Sequence, residues 1–212
     1  MALGTYEELK TSVANWIDRD DLTSRIPDFI TLAEARINRN LRIRAMEDRS
    51  TATVNAGQDY YGLPDRYVQM RHITIAQNNR DVDLEYLTPE RFDLEINRVW
   101  AGGAARPRKY TLIGDELRLG PCPSAEGTMQ MIYWRTFNSL GDLNTSNWLL
   151  SNAPDVLLYG ALLEAETFVK NIEAAKGWGI LFGEGIQSIQ SADDRDRHSG
   201  GALHVVADHQ GY

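Results

Sequence analysis

Apolar residues recur at two different spacings along this chain, and the change of spacing divides it. Near the start, Leu9, Val13, Trp16 and Ile17 follow one another at steps of four, three and one, the 3.6-residue period of an amphipathic helix. Thr5-x-x-Glu8 stands just before them as a capping box, in which a hydroxyl and a carboxylate satisfy the free N–H groups of a helix start. Asp18-Arg19-Asp20-Asp21 interrupts the pattern. Ile26, Ile30, Ala33, Ile37 and Leu41 then form a second stripe, predicting a helix that begins around Pro27, whose missing N–H costs nothing in a first turn.

From about Arg49 to Phe137 the period falls to two. Thr51 to Val54 predicts a strand closed by Asn55-Ala56-Gly57. Tyr67 to Ile75 and Asp81 to Tyr86 flank Asn78-Asn79, residues that tolerate the positive φ of a tight hairpin. Thr88-Pro89-Glu90 predicts the cap and first turn of a short helix reaching about Asn97. After a loop from Ala101 to Pro107, Lys109 to Ile113 and Glu116 to Leu119 flank Gly114-Asp115, which suits a type II′ turn with Gly in its first central position. Gly127 to Phe137 predicts a long strand, apolar on both faces (Met129, Met131 and Tyr133 against Ile132 and Trp134) and therefore central.

Helical spacing returns beyond the polar loop Gly141 to Asn147. Pro154-Asp155 opens a helix whose apolar residues, Val156, Leu157, Tyr159, Leu162, Leu163, Ala165 and Phe168, cover more than one face. A last helix is expected from about Ala174 to Ala192. It carries Gly177, Gly179, Gly183 and Gly185, each costing up to about 1 kcal/mol against Ala, so either a close neighbour justifies them or the helix breaks near Gly183. The expected architecture is α+β. Residues 1–48 and 148–192 form a helical domain of two N-terminal and two C-terminal helices, 49–147 form an inserted antiparallel β domain, and 193–212 form an extended C-terminal arm.

Composition narrows the chemistry. The 212 residues are 42% hydrophobic and 25% charged, ordinary for a folded chain, with a net charge of −8. That balance argues against general nucleic-acid binding, which needs clustered cations. The longest apolar run, Val156 to Leu163, is far short of the roughly twenty residues that span a bilayer. The acidic opening MALGTYEELK does not read as a signal peptide. The expectation is a soluble protein made in the cytoplasm, with no membrane partner. The single cysteine, Cys122, lies between two prolines with no evident activator, which reads as an inert turn residue.

Candidate catalytic groups are weak. Asp81, Asp83 and Glu85 alternate with Val82, Leu84 and Tyr86, as the wet face of a half-buried strand does. Asp18, Asp20 and Asp21 lack the register of a calcium loop. Of the four histidines, His72 stands alone in a strand, while His198, His204 and His209 are spaced for no metal pair. No nucleophile elbow, phosphate loop or dinucleotide loop occurs. The chain is expected to be no enzyme and to hold no cofactor and no metal.

Two features point to contacts with other molecules. Arg36, Arg39, Arg42 and Arg44 put four arginines into nine residues with no acid among them, where a solvated helix face would mix signs. They are candidate contacts to a neighbouring subunit or a partner protein. The segment from Asp193 onward (DDRDRHSGGALHVVADHQGY) is a charged run, a Gly-Gly break and one short apolar patch, Ala202 to Ala207. That patch is too small to bury itself, so it needs a surface supplied by another molecule.

Four stretches resemble the head-to-tail adaptor (connector) proteins of tailed bacteriophages. They are the opening TYEELKTSVANWIDRDDLTSRIPDFITLAEARINRNLR; Tyr60-Tyr61-Gly62-Leu63-Pro64-Asp65; LEYLTPERFD from Leu84 to Asp93; and NWLLSNAPDVLLYGALLEAETFVKN, followed later by ADDRDRHSGGAL. The resemblance implies a structural virion protein at the portal vertex, present in the host cytoplasm during assembly. It implies a dodecameric homo-oligomeric ring docked on the portal protein, extending the channel through which genomic DNA passes without sequence recognition. It also implies a platform for the tail tube or nozzle protein.

The same resemblance assigns the arm, with Leu203, His204, Val205, Val206 and Tyr212, to portal docking; with it, the single-sign cluster Arg36, Arg39, Arg42 and Arg44 is expected to make subunit or portal contacts. Two alternatives stand beside it: a peptidoglycan hydrolase tail component using carboxylates such as Asp81, Asp83 or Glu85, and a stopper or tail-completion protein of the same connector. A DNA-binding accessory role for the arginines is a third reading.

Overall fold

The computed structural model describes residues 3–77, 80–100 and 103–198. The chain divides into two compact units, one built from residues 1–45 and 137–212 and the other from 46–136. It is an α+β protein.

In the first unit, α1 (Tyr6–Ile17) opens with both halves of the capping box made. The Glu8 N–H donates to the Thr5 hydroxyl (3.3 Å), and the Gly4 and Thr5 N–H groups donate to the Glu8 carboxylate (2.8 and 3.0 Å). It ends at Asp18, a left-handed residue at φ 51°, in the stretch that interrupts the apolar stripe. A single 3-10 segment, Asp20–Arg25, leads into α2 (Ile26–Asn40), with Pro27 in its first turn. After the second unit come α4 (Trp148–Asn152), α5 (Pro154–Phe168) and α6 (Ile172–His198). Five residues of α4 are too few to display a helical period, which is why the sequence pattern passes over it.

The central helix is α5. Val156, Leu157, Leu158, Gly160, Ala161, Leu162, Leu163 and Ala165 are all buried, so apolar residues all round the helix meet neighbours all round it. Those neighbours are α1, α2, α4 and α6. Gly160 is required at the crossing: a Cβ there would lie 2.9 Å from the Ala33 Cβ and 3.0 Å from the Phe182 ring. Gly185 likewise lets α6 approach Val156, whose Cγ2 would be 2.6 Å from an added Cβ.

The helix α6 does not break at Gly183, nor does it stop at Ala192; it runs to His198. Close packing accounts for Gly185. The polar end stays helical because Asp193 pairs with Arg197 one turn on (2.9 Å) and with Arg44 (2.9 Å).

The second unit is two four-stranded sheets around one core. The strands are β1 (Glu47–Val54), β2 (Tyr60–Gly62), β3 (Tyr67–Gln77), β4 (Arg80–Asp83), β5 (Glu85–Tyr86), β6 (Lys109–Ile113), β7 (Glu116–Gly120) and β8 (Gly127–Arg135). Their orders are β1-β8-β3-β4 and β2-β7-β6-β5. The long β8 is central in its sheet, antiparallel to both β1 and β3. Val54, Ile73, Ile75, Met129, Met131 and Tyr133 of one sheet join Tyr61, Tyr110, Leu117 and Leu119 of the other in a single apolar cluster.

Gln77 pairs with Arg80 across Asn78-Asn79, which themselves lie outside the described residues. Gly114 has φ 60° while Asp115 has no positive φ, as a type II′ turn requires.

The stretch Asp81 to Tyr86 differs from the single strand expected of it. Leu84 donates its N–H to the Ile73 carbonyl of one sheet, and Glu85 donates to the Arg108 carbonyl beside the other. The chain changes sheets at this point, because the buried Leu84 belongs to the core between them. The helix α3 (Pro89–Trp100) follows, three residues longer than expected. It packs Phe92 and Ile96 over Gly120, where an added Cβ would come within 2.5 Å of both side chains.

Candidate interaction surfaces

The carboxylates proposed for catalysis are not one site. Asp81 and Asp83 stand on β4, whereas Glu85 stands on β5 and pairs with Lys109, which holds its carboxyl below the usual range. Around them the only close titratable partner of Asp83 among the described residues is the exposed His72, 3.4 Å away. Burial pushes the Cys122 thiol up, away from the thiolate that a nucleophile requires. Among the described residues no group of three His, Cys, Asp or Glu side chains is placed to hold a metal.

The four arginines separate into different tasks. Arg36 forms an ion pair with Glu164 of α5 at 2.5 Å. Arg42 turns back on the end of α2 and donates to the carbonyls of Asn38 (2.8 Å) and Leu41 (2.5 Å), which the helix leaves unpaired. Arg44 reaches α6, where Nε meets Asp193 at 2.9 Å and Nη2 meets Asp196 at 3.1 Å, while its backbone N–H also donates to Asp193. Partial burial would raise the Asp193 carboxyl, but hydrogen bonds from Arg44 and the nearby Arg197 charge outweigh it and hold its pKa low. Arg39 is exposed and makes no ion pair among the described residues. The sequence does not reveal that two members of the cluster serve helix ends within the chain.

Beside Arg44 lies a cleft of about 440 Å³. It is lined by Ile43, Ala45, Trp148, Ile189 and Ala192 together with Asn152 and the ion-paired Arg44, Asp193 and Asp196. Trp148 is held there by a parallel stack on Phe137, with ring centroids 5.5 Å apart.

The same unit carries an apolar outer surface where α5 gives way to α6. Phe168, Ile172 and Ile180 are each more than half exposed, and Leu181 is 40% exposed. Trp178 lies between Trp16 (5.4 Å) and Tyr159 (5.9 Å). Gly177 and Gly183 flank Ile180, and an added Cβ on either would meet nothing within 4 Å. Their helical cost therefore has no return within the described chain.

One buried polar knot has no warning in the sequence. Glu34 is only 3% exposed. It accepts from the Leu140 N–H (3.1 Å) and from the Asn147 amide (2.9 Å), and Asn147 in turn accepts from the Leu150 N–H to cap α4. Burial raises the Glu34 pKa to about 7 against the lowering pull of those donors. In the apolar stripe of α2 it is flanked by Ile30, Ala33 and Ile37, so the spacing alone gives its place but not its partner.

In the β unit, Arg118 is fixed between Asp59 (3.1 Å) and Asp93 (2.8 Å) and lies over the rings of Tyr60 and Phe92. This cross-link ties α3 to β7, while Leu94 and Val99 on the outer side of α3 stay exposed. The arm residues Leu203, His204, Val205, Val206 and Tyr212 lie outside the described residues.

The described surface thus offers paired charges, open apolar faces and a cleft. The sequence profile of the SU10 adaptor protein family matches residues 4–205. The chain belongs to that family of bacteriophage head-to-tail adaptors, a structural family and not a family of enzymes. It is thus a phage virion component, and none of its described helices is long and apolar enough to cross a membrane. A search of curated proteins finds no match.

Proposed function

We propose that the protein assembles into a dodecameric ring that docks on the portal, extends the DNA channel and offers the platform on which the tail tube or nozzle is built. The observation that carries this reading, beyond the family, is the outer surface of the helical unit. Phe168, Ile172, Ile180 and Leu181 expose apolar area beside glycines that nothing in the described chain packs against. A heterologous contact repeated about an axis closes a ring and covers such a face. The helical domain and the arm, with Leu203, Val205 and Val206, serve portal and subunit contacts, and the inserted β domain faces the tail. The net charge of −8 per copy suits a channel along which DNA slides without adhering.

Mass measurement of the purified protein with and without portal rings tests the assembly: a portal-dependent ring is expected, and a protomer that stays free beside portal refutes it. Deleting residues 198–212 should leave the protomer folded and abolish co-sedimentation with portal. Normal attachment of the truncated chain would refute the arm's role. Arg39→Glu is the informative charge reversal, with ring yield falling while the melting temperature holds. Arg42 supports the end of α2 and would report folding as well.

A further inference from the structure

The helical unit carries one apolar projection as well as its open apolar face. Gly141-Asp142-Leu143-Asn144 form a tight turn, closed by the Asn144 N–H donating to the Gly141 carbonyl (3.1 Å) and the Gly141 N–H donating back to the Asn144 carbonyl (3.0 Å). The Asn144 amide also donates to the Ser139 carbonyl (2.7 Å), and Glu34 of α2 holds both flanks through the Leu140 N–H and the Asn147 amide. At the tip, Leu143 is as open as in an extended chain (105%), the most exposed large apolar side chain among the described residues. Turn positions favour Gly, Asn, Asp and Ser, so the turn itself does not call for a leucine. A fixed turn can insert such a tip into a partner at little ordering cost.

A hollow of fitting chemistry lies where α5 gives way to α6. It is lined by Leu163, Thr167, Ile172 and Ala175 together with Lys170 and Lys176. Lys176 pairs with Glu173 (2.9 Å), whereas Lys170 is exposed and makes no ion pair among the described residues. Asp142, the residue before Leu143, is also exposed, and its approach to Lys10 is a loose 3.8 Å. An acid beside the apolar tip thus complements lysines beside the apolar hollow.

Tip and hollow stand at opposite ends of the unit. The turn lies against the start of α1, where the Tyr6 N–H donates to the Thr145 carbonyl (2.7 Å), and the chain then runs through α4 into the first turn of α5. The hollow is at the far end of α5, whose 15 residues extend about 22 Å. Leu143 therefore cannot fill the hollow of its own chain. A contact between two different patches of identical copies is heterologous, the kind that closes a ring.

We propose that Leu143 of one copy inserts into the hollow formed by Leu163, Ile172 and Ala175 of the next, with Asp142 facing Lys170. The proposal rests on the ring reading above and names the contact that builds it.

Leu143→Ser tests it first: the melting temperature should hold, while the protein concentration needed to form rings on portal rises about tenfold or more. Unchanged ring formation overturns the proposal. Cross-linking with a short bismaleimide then identifies the occupant, using full chains that carry Leu143→Cys or Ile172→Cys, each with Cys122→Ser. A copy-to-copy product is expected from the mixture of the two variants and from neither alone. Rings on portal without that product overturn the contact and leave the ring standing, as does coupling of the Leu143→Cys chain to itself or to portal. Wild type that forms no ring on portal, while the mixture still couples at high protein concentration, refutes the ring and keeps the contact. Neither ring nor product refutes both.

Discussion

Glu34 offers the sharpest quantitative test, because its burial and its partners make opposite demands. Its carboxyl titrates near 7 in the folded protein, against a reference value of 4.5. Between those values the folded state holds a proton that the unfolded chain has lost, so stability declines as pH rises through the interval and levels off above about 7. At about 1.4 kcal/mol per pKa unit, the full loss is about 3 kcal/mol. Its pKa is set by burial against the hydrogen bonds from the Leu140 N–H and the Asn147 amide.

The measurement is urea unfolding from pH 4.5 to 8 for the wild type and for Glu34→Gln, taking the difference at each pH so that other titrations cancel. The glutamine oxygen still accepts from Leu140 and Asn147 but cannot ionise. The variant should therefore gain on the wild type by about 3 kcal/mol across the range, the gain appearing as pH rises. Glu34→Ala should lose stability at pH 4.5, because the Leu140 N–H is left without an acceptor at about 1–3 kcal/mol while the Asn147 amide keeps the Asn138 carbonyl, and should regain on the wild type as pH rises, since it cannot ionise either. A wild-type-minus-glutamine difference that stays flat from pH 4.5 to 8 would refute the reasoning.

Other substitutions probe packing by the same urea assay. Gly160→Ala forces a methyl against Ala33 and Phe182 and should cost about 1–3 kcal/mol. Gly177→Ala, facing open space, should stabilise the protomer by up to about 1 kcal/mol, and if a neighbouring copy covers that face the same change lowers ring yield in sedimentation. Phe92→Ala removes the centre of the small cluster with Leu87 and Ile96 and should cost about 3–5 kcal/mol, lost from the β unit. Thr5→Ala should cost about 1 kcal/mol by opening the capping box, read as early fraying of α1 in hydrogen exchange.

Much of the fold was legible because it is built from long elements with regular spacing. The stripes of α1 and α2, the apolar girth of α5 and the two-faced β8 all follow from period alone. Legibility fails where the decisive partner is distant in sequence. Leu84 interrupts no pattern, yet the chain changes sheets there because a core residue is needed between two layers. Glu34 and Asn147 are separated by more than a hundred positions, and Arg44 and Asp193 by a similar span. Nothing local to either residue announces the pair. The glycines of α6 stand out in the sequence as costly in a helix, but their spacing cannot tell Gly185, pressed on Val156, from Gly177, pressed on nothing.

The helix α6 concentrates the functional argument, because its character changes along its length. Its first half is apolar outward, with Ile172, Ile180 and Leu181 open to solvent. The middle is committed inward through Phe182, Gly185 and Ile186. From Gln190 on it is mostly polar and is held near the end of α2 by Arg44, paired with Asp193, and by the Gln190 amide, which donates to the Asn40 carbonyl. A helix needed only for its own core would repeat one face throughout. This one is inward-facing where the protomer requires it and outward-facing where it does not, and its polar end fixes the point from which the arm departs. Outward and inward packing are thus carried by different stretches of one helix, so a change at Ile180 need not disturb the contacts of Phe182 and Gly185.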